Sequence, residues 1–222
     1  MLPVELLGLP GAGKSFVYSK ATAQGLTGRN SWRDNLRLPG FTSATQVLVK
    51  SVRLAATLML GVLASRGPRR GPLSMVGSVV RRHQILNSIP LDEGPQVIDE
   101  GPLHALFVML YGTQMTWLSR RLLSSAARQL CAAPRMFVLI DVPPQECMTN
   151  WAGPNRASVR FNSQTSENER RAFSSDQTYA LIRAELEVSA GDRLHVVDDV
   201  DMAIELLIEW ARTARCCGPN HR

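Results

Sequence analysis

A glycine-rich stretch near the N-terminus constrains the fold of this chain more than any other feature. Residues 8–15 read Gly-Leu-Pro-Gly-Ala-Gly-Lys-Ser, a glycine followed by four residues and then Gly-Lys-Ser. The apolar run 2–7 before it is typical of a short buried strand, and the run 16–21 after it is typical of a helix. Strand, glycine-rich loop and helix in that order predict a loop whose backbone N–H groups point inward at phosphate oxygens.

The residue types at the end of this stretch indicate which phosphates would bind. The Lys14 ammonium is expected to lie against the β- and γ-phosphates of a nucleoside triphosphate, and the Ser15 hydroxyl is expected to bind Mg²⁺. A helix that begins at about Lys14 adds the positive end of its dipole. A glycine-rich turn without a ligand is the alternative. The predicted nucleotide-binding residues are Gly8, Pro10, Gly11, Ala12, Gly13, Lys14, Ser15 and Phe16.

Length and composition favour one globular domain that binds a small anion. The 222 residues suffice for a single α/β domain, and 45% of them are hydrophobic. The net charge of +6 suits a polyanionic small ligand, whereas the absence of a basic run argues against specific nucleic-acid binding. The most apolar stretch, 54–64, is too short to span a bilayer. With no secretory signal before the first strand, the expected compartment is the cytoplasm.

Predicted strands and helices alternate, which is typical of a mostly parallel sheet with helices on both faces. The five predicted strands cover residues 2–7, 35–38, 96–100, 135–142 and 193–197. The predicted helices cover 14–24, 43–66, 73–89, 103–133, 167–188 and 200–214, and residues 143–146 begin a further predicted helix. The stretch 103–133 is either one long helix or two consecutive helices joined at Gly112-Thr113. The segment 25–40 is turn-rich, and a tail at about 216–222, with Cys216 and Cys217, is expected to fray.

The predicted strand at 96–100 ends in two carboxylates. Because ligands bind at the carboxyl ends of parallel strands, we expect Asp99 to lie near Lys14 and Ser15, together with Asp141 at the end of the predicted strand 135–142. Asp99 is predicted to organise Mg²⁺, usually through water. Glu100 is predicted to accept a proton from an incoming hydroxyl. The alternative is an ordinary turn at the end of a strand.

Arginines elsewhere in the chain are candidates for contacts with phosphate. The polar segment 153–171 is predicted to be a mobile lid, and Arg156 and Arg160 would share one face if it is helical. A solvated loop is the alternative. On the helix before Asp99, an arginine of Arg81-Arg82-His83 either reaches an acceptor pocket or faces solvent. His83 and His104 are expected to be structural.

Taken in order, these motifs resemble the P-loop nucleoside and nucleotide kinases, and within them the thymidylate kinase-like group. An arginine-bearing helix precedes Val97-Ile98-Asp99, as in that group, and residues 139–146 and 193–201 are similar to its strand before the lid and its last strand and loop. The resemblance implies a three-layer P-loop NTPase fold that uses ATP and Mg²⁺. Two positions differ: Glu100 stands where the group has arginine, and Asn150-Trp151 stand where many members carry arginine.

The sequence therefore predicts an ATP-dependent small-molecule kinase that transfers the γ-phosphate to a hydroxyl or phosphate acceptor. Glu100 in place of arginine favours a hydroxyl acceptor. The alternative is a nucleotide-dependent switch or an ATP-binding module without an acceptor, although no guanine-recognition signature is present. The expected partners are ATP and one unidentified small molecule. Apolar helices at 43–64 and 103–132 could also form a homodimer face.

Overall fold

The computed structural model describes residues 2–9, 11–29, 51–66, 72–87, 95–110, 113–143, 146–147 and 177–216. Several predictions lie outside these residues: the role of Pro10, the strand at 35–38, the pair Asn150-Trp151, the lid at 153–171 with Arg156 and Arg160, and the tail after Cys216 with Cys217.

The described strands form one parallel sheet. It contains β1 (Val4–Gly8), β2 (Thr27–Arg29), β3 (Gln96–Ile98), β4 (Met136–Ile140) and β5 (Leu194–Val197), in the order β2-β3-β1-β4-β5. Every neighbouring pair in this sheet is parallel. The prediction of an α/β protein with a five-stranded parallel sheet is confirmed for this part of the chain.

The helices of the described residues pack in two groups. They are α1 (Lys14–Ala23), α2 (Val52–Ala64), α3 (Pro72–Asn87), α4 (Pro102–Leu110), α5 (Trp117–Cys131), α6 (Gln177–Ala190) and α7 (Val200–Cys216). Helices α1 and α7 contact each other, and they contact β1 to β3 and β4 to β5 respectively. Helices α2 to α6 form the other group, in which α4 contacts β1 and α6 contacts β5. Parallel strands with right-handed crossovers account for this division.

The central strands β1 and β4 are buried on both faces, as expected for a parallel sheet covered by helices. Their apolar side chains Leu6, Phe137 and Val138 are completely buried. The one charged residue of β1, Glu5, is also completely buried. This placement requires a partner for its carboxylate, because an isolated buried charge is very costly.

The second strand is where the sequence prediction was wrong. Strand β2 lies within the segment predicted to be turn-rich, and it pairs with β3 through Thr27↔Gln96 and Gly28↔Val97. Three residues that include a glycine carry no alternation of apolar and polar side chains, so nothing local marked them as a strand. Gly28 lies so close to Thr22 and Tyr18 of α1 that a side chain would collide with them. The close packing of α1 on β2 therefore explains the glycine.

The stretch 103–133 contains two helices, α4 and α5, as one of the two alternatives predicted. The second of these helices, α5, is capped at its N-terminus by Thr116, whose Oγ1 accepts a hydrogen bond from the Ser119 N–H at 3.1 Å. Helix α7 continues to Cys216, beyond the predicted end at 214.

Across the described ranges, no helix combines the length and the apolar character needed to cross a membrane.

The strand order determines where a ligand would bind. The chain leaves β1 towards β2 on one side and leaves β4 towards β5 on the other, so neighbouring strands β1 and β4 have connections in opposite directions. Open parallel sheets bind ligands at the carboxyl ends of their strands at such a switch point. Gly8 ends β1, Asp99 follows β3, and Asp141 follows β4.

Candidate functional site

The glycine loop (residues 8–15) connects β1 to α1 and has a backbone that only glycine adopts readily. Gly11 and Gly13 both have φ of 88°, a conformation that costs other residues about 1–2 kcal/mol. A Cβ at Gly11 would overlap the backbone of Cys147, and a Cβ at Gly13 would collide with the Val200 side chain. The loop is therefore packed between the segment after β4 and the first residue of α7.

Lys14 lies over this loop. Its Nζ donates hydrogen bonds to the carbonyl oxygens of Gly8 at 2.7 Å and Leu9 at 2.8 Å, and the side chain is buried. These two hydrogen bonds hold the Lys14 ammonium against the backbone of the loop. Of the other predicted binding residues in the described part, Ala12 is buried, and Phe16 is exposed, with the Lys20 Nζ 5.3 Å from its ring centroid.

Ser15 and Asp99 meet although 84 positions separate them in the sequence. The Ser15 hydroxyl donates a hydrogen bond to Asp99 Oδ2 at 3.3 Å. A hydroxyl and a carboxylate suit Mg²⁺, which prefers oxygen ligands and is often held by one or two protein groups plus substrate phosphates. The donor set therefore fits the cation. In the described residues, no group of three or more His, Cys, Asp and Glu side chains could form an all-protein metal site.

The acidic turn (residues 99–101) also contacts α3. Arg82 Nη1 donates a hydrogen bond to the Glu100 carbonyl oxygen at 2.9 Å, and Nη2 lies 3.5 Å from Glu100 Oε2. The Arg82 side chain is 11% exposed, whereas that of Glu100 is 39% exposed. Burial lowers the pKa of Arg82, and the nearby Glu100 carboxylate opposes that shift. Arg82 therefore contacts the acidic turn and does not face solvent, whereas its reach into an acceptor pocket stays a prediction.

Asp141 holds α6 against the end of β4. Its Oδ1 accepts a hydrogen bond from the Tyr179 hydroxyl at 3.2 Å, and its Oδ2 accepts one from Arg183 Nη1 at 2.5 Å. Burial raises the pKa of Tyr179, and the Asp141 charge adds to that shift. Local sequence around Tyr179 and Arg183 carried no signal for this contact, because it depends on where α6 crosses the sheet.

A small cavity of about 20 Å³ lies between the ends of β1 and β4 and helices α4 and α6. Its polar lining includes His104, Tyr179 and Arg183, and its volume is about that of one water position. Burial and, to a smaller extent, the charges of Lys14 and Arg82 lower the pKa of His104 to about 3. His104 is therefore a neutral imidazole at neutral pH, and nothing in its surroundings contradicts the expected structural role.

Comparison of the chain with known proteins adds no assignment. No protein-family model matches the sequence, and no curated protein matches it. The chemistry of this site rests on its geometry alone: a glycine loop with a lysine over it, a serine beside an aspartate, and a partly exposed glutamate beside an arginine.

Proposed function

We propose that this chain is an ATP-dependent small-molecule kinase of the P-loop nucleoside/nucleotide kinase type, with a three-layer P-loop NTPase fold. The observation that carries the proposal is the meeting of three groups at the carboxyl edge of the sheet, beside the ends of β1 and β3. Lys14 lies over the glycine loop, and Ser15 lies 3.3 Å from Asp99 on another strand end. A lysine, a hydroxyl and a carboxylate in this arrangement are the groups that bind a Mg²⁺–nucleoside triphosphate in P-loop proteins.

In this proposal the glycine loop binds the phosphates, and Lys14 neutralises charge on the transferred group. Ser15 and Asp99 would hold Mg²⁺, which supplies further neutralisation of the phosphate oxygens. Arg156 and Arg160 of the segment 153–171 would complete that neutralisation from a lid. Phosphoryl transfer needs little covalent chemistry from the protein, so positioning and electrostatics account for most of the rate.

Glu100 makes an uncharged hydroxyl compound the favoured acceptor. A carboxylate beside Asp99 would repel the phosphate of a nucleoside monophosphate, but it can accept the proton that an attacking hydroxyl loses. The Arg82 contact orients this carboxylate, and 39% of the Glu100 side chain remains exposed to an incoming substrate. Arg82 is thus a positioning residue for the proposed base.

The test is ADP release from Mg·ATP with pooled acceptors: nucleosides, nucleoside monophosphates, sugars and aminoglycosides. We expect acceptor-dependent release that falls about 10²–10³-fold in Lys14→Ala, because a preorganised charge on the transition state is lost. Lys20→Ala is the matched control, since this exposed lysine lies on the same helix. Near-normal turnover in Lys14→Ala would reject the proposal. Release that depends on Lys14 but not on any acceptor would favour the nucleotide-dependent switch.

Two further properties belong to the proposal. Leu63 at the end of α2, and Trp117 and Leu118 at the start of α5, are large apolar side chains that are about half or more exposed, so a homodimer would form on this face. The apolar side chains of α4, by contrast, are mostly buried.

The cytoplasm is the compartment we propose, in keeping with the free thiols of Cys131 and Cys147.

A further inference from the structure

A buried ion pair lies behind the site. Glu5, the second residue of β1, and Arg135, just before β4, are 0% and 1% exposed, and Arg135 Nη1 donates to Glu5 Oε2 at 2.9 Å. Pairs of this kind contribute little to stability compared with apolar residues of similar size, because both charges must lose their water. A contribution to stability therefore does not explain why this pair is buried beside the central strands.

The second oxygen of Glu5 contacts the chain just after the acidic turn. Glu5 Oε1 accepts a hydrogen bond from the Leu103 N–H at 3.0 Å, in the first turn of α4. Gly101 lies so close to this carboxylate that a Cβ would overlap it. The position of the turn is thus determined by where the Glu5 carboxylate lies, and Arg135 holds that carboxylate in place.

Helix α3 contacts both the ion pair and the acidic turn with adjacent side chains. His83 Nδ1 lies 3.2 Å from Arg135 Nη2, and Arg82 Nη1 donates to the Glu100 carbonyl oxygen at 2.9 Å. Burial and, to a smaller extent, the Arg135 charge lower the pKa of His83 to about 4, so this imidazole is neutral and can accept from the guanidinium. The motif Arg82-His83 therefore connects the two charged groups through one helix.

We propose that Glu5 and Arg135 are positioning residues, which set the placement of Asp99 and Glu100 relative to Ser15. The inference rests on the proposed function, because it assigns Asp99 and Glu100 to Mg²⁺ and to the acceptor. Neither Glu5 nor Arg135 would touch substrate. Both would act through the hydrogen bond to Leu103 and the packing against Gly101, which together fix the turn between β3 and α4.

The main test replaces the whole pair with apolar residues, in the variant Glu5→Leu/Arg135→Met. Because no buried charge is left unpaired, this variant should fold with near-normal stability. We expect its affinity for ADP without Mg²⁺ to be unchanged, since the glycine loop is intact. The Mg²⁺ concentration for half-maximal turnover should rise about tenfold or more, and kcat should fall up to about 10²-fold with little change in the KM for ATP.

A matched control and a structural measurement separate positioning from folding. Arg128→Met/Glu185→Leu removes a second ion pair, between α5 and α6, and should leave Mg²⁺ dependence and kcat unchanged. A crystal structure of the Glu5→Leu/Arg135→Met variant should show Asp99 displaced from Ser15, with or without nucleotide. An unmoved acidic turn, or a folded variant with normal kcat and Mg²⁺ dependence, would overturn the inference.

A third variant covers the case in which the double replacement does not fold. Gly101→Ala keeps both charges but forces the turn away from the Glu5 carboxylate, so it should raise the Mg²⁺ requirement in the same way. Unchanged Mg²⁺ dependence in Gly101→Ala would then reject the inference. Failure of the proposed function is a separate result, because it would appear without any change to Glu5 or Arg135, as ADP release that no acceptor stimulates or as near-normal turnover in Lys14→Ala.

Discussion

The glycine loop and the acidic turn lie on the same edge of the sheet, but different kinds of contacts hold them. The loop is stabilised from within: Lys14 bonds to carbonyls five and six residues back, and Ala12 donates to Leu9. The acidic turn is held from outside, by contacts with Glu5, Ser15 and Arg82 at sequence separations between 18 and 98 residues.

The difference teaches which half of the site depends on the rest of the fold. The hydrogen bonds of the loop are local, and its contacts with Cys147 and Val200 are packing contacts, so the loop should be less sensitive to substitutions in distant strands. A turn anchored by side chains of β1 and α3 moves when either of them changes. We therefore expect distant substitutions to weaken the acidic turn and local ones to weaken the glycine loop.

The largest expected effect comes from breaking the buried pair on one side only. Arg135→Met leaves the Glu5 carboxylate buried without its partner, so the free energy of unfolding should fall by about 3–5 kcal/mol. Urea unfolding followed by circular dichroism measures this change. Arg128→Met, which removes the 63% exposed cation of a surface pair, should lower the free energy of unfolding far less, because solvent screens this cation. Equal losses in the two variants would contradict the comparison.

The second largest effect is expected from acid, through the two partly buried histidines His83 and His104. His83 and His104 have folded pKa values of about 4 and about 3, below the ordinary 6.5. The unfolded chain therefore binds more protons below pH 6.5, so stability falls as the pH drops from about 6.5 towards 4. The loss is at most about 1.4 kcal/mol per pH unit for each histidine.

Urea midpoints at pH 7.5 and 5.5 measure this loss, and His83→Gln/His104→Gln provides the comparison. The double variant should lose less stability between these two pH values than the wild type. If both proteins lose the same amount, the two histidines are not the groups that titrate.

The smallest effect on stability is expected in the glycine loop. Gly11→Ala places a side chain at φ 88°, which costs about 1–2 kcal/mol, and the loop must also move away from Cys147. Nucleotide affinity, measured by calorimetry, should fall because the loop no longer has its shape. Gly77→Ala is the control: it lies within α3 with open space around it, and it should stabilise the protein by about 0.5–1 kcal/mol. Unchanged affinity in Gly11→Ala would contradict a binding role for the loop.

The same contrast explains how much of the structure could be predicted from the sequence. The glycine loop and the apolar central strands follow from local residue types, and Lys14 begins α1 as predicted. The contact between Ser15 and Asp99 followed from the rule that parallel strands end at one edge. Strand β2 was missed because pairing with β3, rather than its own residues, makes it a strand.

The partners of the acidic turn could not be predicted for a related reason. A glutamate inside an apolar strand gives no indication that Arg135, 130 positions away, is its partner. His83 was expected to be structural, and its contact with Arg135 agrees with that expectation. Which arginine of Arg81-Arg82 faces the site depends on the rotation of α3, which the sequence did not determine.

Strand β1 carries the anchors of both halves of the site: Glu5 is its second residue, and Gly8 is its last. Glu5 is in register with Ile98, the residue before Asp99, and Gly8 is in register with Ile140. Side chains alternate between the two faces along a strand, so one inserted residue between Glu5 and Gly8 would turn the Glu5 carboxylate away from α4. Insertions and deletions in these few residues should therefore be excluded among homologous sequences, even where the side chains between them vary.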